Sequence, residues 1–133
     1  MSHDLTCVHG PLSLSIEFTA AERAGDTVQV NISVSQLGTN ERLEWAVYEV
    51  WVADEALARF EAQLASTEDA VLTDTRGEAL LRVIDGAGSA ALDLGCRPSD
   101  DGGRTGRVFA SISTPPGLKP VMQRAFLDYA KWW

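Results

Sequence analysis

His3, Cys7 and His9 are the first residues in the chain whose types suit chemistry: two imidazoles and a thiol within one short segment are metal-ligand groups. Their spacing fits no zinc finger and a tetrahedral site lacks its fourth donor, so the competing reading is a loosely ordered segment over residues 1–11. These are also the only histidines in the chain. Elsewhere no side chain has an ordinary pKa near neutrality, and a general base would have to be a tuned carboxylate, thiol or phenol. No GxSxG elbow, HExxH helix or GxxxxGK[ST] loop is present, which removes the simplest hydrolase, metalloprotease and nucleotide-binding assignments. No catalytic residue, metal site or cofactor site is assigned.

Two further places allow two readings each. The run Asp100-Asp101-Gly102-Gly103-Arg104-Thr105-Gly106-Arg107 has the glycines and arginines of a phosphate cradle. It lacks the P-loop lysine and lies between strands rather than at a helix start, so the alternative is a solvated hairpin loop. Glu49 sits between Val47 and Trp51 in the most apolar strand of the chain. It is either a buried acid with a raised pKa or a solvated group on an open sheet face. Cys7 and Cys96 stand far apart without a CxxC spacing, which points to two buried or idle thiols rather than a disulfide framework.

The elements that must position these groups follow from hydrophobic period. Leu12, Leu14, Ile16 and Phe18 alternate with polar residues, as do Val28, Val30, Ile32 and Val34, so both segments read as half-buried strands. Ala24-Gly25-Asp26 between them suits a hairpin. Over residues 45–52 one face takes Ala46, Tyr48, Val50 and Val52 and the other Trp45, Val47, Glu49 and Trp51. A helix is expected from Asp54, whose carboxylate suits a helix start, with Ala56, Leu57, Phe60 and Leu64 on its apolar side.

After a turn-rich link over residues 66–77 the phrase restarts. A strand runs over 78–84, Asp85-Gly86-Ala87-Gly88 turns, and Ala90, Leu92, Leu94 and Cys96 face inward on its partner. A sixth strand is expected over 108–113. A last helix then follows Pro115-Pro116-Gly117, carrying apolar residues from Leu118 to Trp132 and Trp133 on one side. The fold class is α+β: an antiparallel sheet of about six strands in βββα-βββα order with two helices on one face. A single domain over 1–133 is expected, with 12–65 and 78–133 as its two units.

The 133 residues are 45% hydrophobic and 23% charged, the composition of a folded globular chain. No basic start leads into an apolar run and no apolar stretch approaches the ~20 residues of a membrane span, so a cytoplasmic protein without membrane contact is expected. The net charge is −8. Residues 41–93 hold twelve acids against four bases, whereas residues 94–133 hold three acids against six bases. Such acidity disfavours direct nucleic-acid binding and favours encounter with a basic protein.

Within the acidic stretch, Glu41, Glu44, Glu49, Asp54 and Glu55 surround Trp45 and Trp51, a mixture that suits a partner-binding surface. The two tryptophans stand about 20 Å apart along an extended strand, too far to pinch a small ligand. Three alternatives remain open: tryptophans covered by a loop or helix, a small-ligand or enzymatic pocket between helices and sheet, and a homodimer through a strand edge or the final helix.

The stretch Trp45-Ala-Val-Tyr-Glu-Val-Trp-Val-Ala-Asp-Glu-Ala-Leu-Ala-Arg-Phe-Glu-Ala-Gln-Leu64, together with the strand, turn and strand after Glu78 and the closing helix, resembles small bacterial proteins of the WapI immunity type. The resemblance runs over residues 12–130 as order and pattern. It implies a non-catalytic protein that neutralises a basic partner, such as a nuclease toxin domain, by binding it.

Overall fold

The computed structural model describes residues 4–95 and 110–133. In the first sheet β1 (Asp4–His9), β2 (Leu12–Glu22), β3 (Thr27–Leu37) and β4 (Arg42–Ala53) follow one another as antiparallel neighbours. Helix α1 (Asp54–Leu64) leaves the end of β4 directly. The second sheet repeats the meander with β5 (Ala70–Thr73), β6 (Ala79–Asp85), β7 (Ala90–Leu94) and β8 (Ala110–Thr114), and α2 (Leu118–Asp128) follows it.

The α+β class, the antiparallel pairing and the two helices stand as expected. The single six-stranded sheet does not: the described residues form two four-stranded sheets, and the repeat is ββββα twice. Both additional strands come from segments assigned to loops. Residues 4–9, expected to be loosely ordered, form β1, with Leu5 and Cys7 buried in alternation with exposed neighbours. Exposed Val8 hides that alternation in the sequence. Strand β5 lies inside the expected link over 66–77, and at four residues it is too short for a period to show. The expected sixth strand is described only from Ala110 onward, and Cys96 and the loop over 100–107 lie outside the described residues.

One apolar core joins both sheets and both helices. Leu12, Leu14, Ile16 and Phe18 of β2 and Val28, Val30, Ile32 and Val34 of β3 enter it by strict alternation. Leu57 and Phe60 enter it from α1, and Met122 and Phe126 from α2. The two helices meet through Phe60 and Phe126, whose rings lie edge to face at 5.7 Å.

The helix ends are held by distant groups. Ala53 precedes α1 without a side-chain cap, so Asp54 does not cap the helix; it accepts a hydrogen bond from Trp133 Nε1 at 2.7 Å. Gly117 takes a left-handed φ of 100° before α2, and the Asp85 carboxylate accepts the N–H groups of Gly117 and Lys119 at 3.1 and 3.0 Å. The Lys119 ammonium, in a residue only 6% exposed, donates to the carbonyls of Ser66 and Glu68 just beyond α1. One charge thus joins the start of α2 to the end of α1.

The last helix is shorter than expected. It ends at Asp128, and Tyr129 is extended. Tyr129 and Trp133 nevertheless lie against Phe18, with ring centres 5.0 and 4.7 Å away, and Lys131 pairs with Glu61 at 2.8 Å. Among the described residues, no helix is long and apolar enough to cross a membrane.

Candidate functional site

The first sheet turns one face to the core and leaves the other uncovered by the helices, and alternation decides which side chains stand there. Asp4, Thr6 and Val8 of β1, Ser13, Ser15 and Glu17 of β2 and Gln29, Asn31, Ser33 and Ser35 of β3 face outward between buried neighbours. Cross-strand register sets them in rows: Val8, Ser13, Ser35 and Glu44; Thr6, Ser15, Ser33 and Ala46; Asp4, Glu17 and Asn31. The short side chains in the middle rows leave an open groove of about 400 Å³, walled at the β4 side by Arg42, Glu44 and Tyr48.

Strand β4 determines which aromatic groups reach this face. Ile32 stands opposite Val47 and Val30 opposite Val50, so Tyr48 and Glu49 together oppose Asn31 in a β-bulge. Glu49 takes the left-handed conformation at φ 55°, an uncommon state for a residue with a side chain. Asn31 holds it there. Its Oδ1 accepts the Glu49 N–H at 2.7 Å, while its Nδ2 donates to Glu17 Oε1 at 3.1 Å.

The extra residue exchanges the two faces of β4 beyond it. Before the bulge Trp45 and Val47 point inward; after it Val50 and Val52 do. The expected common face of Trp45, Val47, Glu49 and Trp51 is therefore corrected: Trp45 is 8% exposed and belongs to the core, while half-buried Trp51 lies on the outer face opposite Gln29. Tyr48, expected on one face with Ala46, Val50 and Val52, is 69% exposed, whereas Val50 and Val52 are buried.

The remaining sequence-assigned residues divide into two places. Glu44 is on the outer face and pairs with Arg42 at 3.0 Å, and Glu49 is exposed at the bulge, so it is solvated rather than a buried acid. Glu41 is exposed in the β3–β4 turn, where its carbonyl accepts the Gly38 N–H at 2.7 Å. Asp54 and Glu55 lie at the start of α1, Asp54 held by Trp133 and Glu55 paired with Arg59 at 3.4 Å. Asp54 borders a separate cleft of about 340 Å³ with Glu22, Arg23, Asp26 and Trp133.

Asp4, Glu17, Glu44 and Glu49 set four acids against Arg42 on and beside the outer face. Sequence period alone marks Glu17, Gln29, Asn31 and Ser33 as the polar sides of their strands. It misses Tyr48 because a bulge leaves no mark in a strand whose alternate residues are apolar on both sides.

The metal-ligand reading of the N-terminal segment finds no support in the geometry. Cys7 is buried, and burial pushes its thiol above the ordinary value, toward the neutral form. His9 spends Nε2 on the Pro115 carbonyl at 2.9 Å, which ties β1 to the turn before α2. His3 lies outside the described residues. Compared with known proteins, the chain matches no family model, no curated protein and no solved structure.

Proposed function

We propose that this chain is a non-enzymatic protein-binding module that receives a basic partner on the outer face of its first sheet. The observation that carries the proposal is the make-up of that face. An exposed tyrosine and a half-buried tryptophan stand among small polar residues, with four acids against one arginine, and both helices pack elsewhere. Aromatic anchors supply contact area at low entropic cost, and the acids steer a cationic partner and select its orientation. Neutralisation of a basic toxin domain, which the resemblance to the immunity type implies, is one specific form of this reading. A small-ligand pocket between helices and sheet is less favoured, because Phe18, Leu57 and Phe60 fill that space at 1% exposure or less.

The test is affinity capture with the wild-type chain and with Glu44→Lys/Tyr48→Ala, followed by titration of the recovered protein. A basic protein held by the wild type at about 50 mM salt, released near 0.5 M and bound at least about fivefold more weakly by the double variant is the expected result. Salt-independent binding, or equal binding by the double variant, removes this face as the docking site.

A further inference from the structure

Among the described residues strand β4 ends the first sheet, and its far side meets no other strand along residues 42–48. Among the described residues, no backbone hydrogen bond from outside the sheet reaches that stretch, whereas further along the Trp51 carbonyl accepts the Thr75 N–H at 2.9 Å. That bond reveals which groups point off the edge. Trp51 turns its backbone away from β3 and stands opposite Gln29; two-residue alternation along β3 gives the same orientation to the partners of Ser33, Ser35 and Leu37. Those partners are Ala46, Glu44 and Arg42, so their N–H and C=O groups face outward in the plane of the sheet. The bulge at Tyr48 and Glu49 closes the open window at its other end.

We propose that two copies of this chain pair antiparallel through this edge, with the two-fold axis at Trp45, to make one continuous eight-stranded sheet. The window 42–48 is centred on Trp45, and this register is self-complementary on both faces. On the inner side Leu43, which is 39% exposed in the single chain, lies opposite Val47 of the second copy, and Trp45 lies opposite its own equivalent. On the outer side Arg42 meets Tyr48, and Glu44 meets Ala46. Outward-facing Glu44 and Ala46 then exchange backbone hydrogen bonds as an antiparallel pair does. Moving the axis to Glu44 would set two glutamates directly against each other, which cross-strand pairing disfavours. An axis one residue further on, at Ala46, would bring Arg42 against Val50, beyond the bulge. This proposal does not depend on the docking reading, although it would place two acidic faces side by side.

Sedimentation and light scattering over about 10–500 µM test it, with a species of twice the 14.4 kDa chain mass expected. Because each copy carries a net charge of −8, added salt tightens the dimer, whereas it weakens a complex with a basic partner. The two proposals therefore fail separately. Leu43→Lys, with an unchanged far-UV spectrum, is expected to weaken the dimer at least about tenfold. In a Cys7→Ala, Cys96→Ala background, a mixture of Glu44→Cys and Ala46→Cys chains is expected to form a mixed disulfide under oxidised glutathione, while neither alone does. A monomer throughout the range, or a dimer that the mixed pair does not cross-link, overturns the proposal.

Discussion

Lys119 illustrates how a single side chain acquires a role from residues far away in the chain. The sequence places it in the first turn of a helix, where a lysine is ordinarily solvated. Its acceptors, the carbonyls of Ser66 and Glu68, stand 53 and 51 residues earlier, and no periodicity connects them. Burying an ammonium is tolerable because those carbonyls replace water, and removing it leaves them without that donor. Lys119→Met, which keeps most of the apolar stem, is expected to lower unfolding free energy by about 2 kcal/mol in chemical denaturation. Arg124→Met, which breaks an exposed pair with Asp128, should change it by no more than about 0.5 kcal/mol. A smaller cost for Lys119→Met than for Arg124→Met would contradict the bridging role.

At the scale of elements, β4 and residues 129–133 show how packing redirects a pattern. Strand β4 was legible as a strand, but its faces were not: Trp45 and Val47, expected on one face with Glu49 and Trp51, point inward before the bulge. Beyond Tyr48 the period slips by one residue, because Asn31 stabilises Glu49 in a conformation that its own residue type disfavours. Residues 129–133 depart from the helix for a related reason: the contacts with Phe18 and Asp54 hold Trp133 in place without further helical turns. Trp133→Ala removes a ring contact and an indole hydrogen bond together. It should destabilise the fold by about 2 kcal/mol, less than a fully buried tryptophan because the site is half open. A Tm equal to that of the wild type would mean that these residues contribute nothing to the fold.

For the whole molecule, the two halves of the doubled meander share one apolar core. Phe60 of the first repeat packs on Phe126 of the second, Phe18 packs on Tyr129 and Trp133, and Lys119 spans the two helices. Thermal unfolding followed by far-UV dichroism and by fluorescence of the four tryptophans should therefore give coincident transitions. Residues 1–66 expressed alone should lack a cooperative transition, since their apolar face loses its cover. Two separate transitions would show that the repeats fold independently.

The sequence by itself determined the α+β class, the antiparallel pairing of the long strands, both helices and the acidity of the first repeat. Each of these is a local property, carried by alternation, helical spacing and residue charge within one segment. Tertiary structure alone decided that the eight strands of the described residues divide into two sheets, that Trp45 enters the core while Tyr48 faces outward, and that Lys119 and Trp133 join the repeats. Those outcomes depend on free energy gained between residues distant in sequence, where a four-residue strand, a one-residue bulge or a buried ammonium becomes favourable only once its partners are in place.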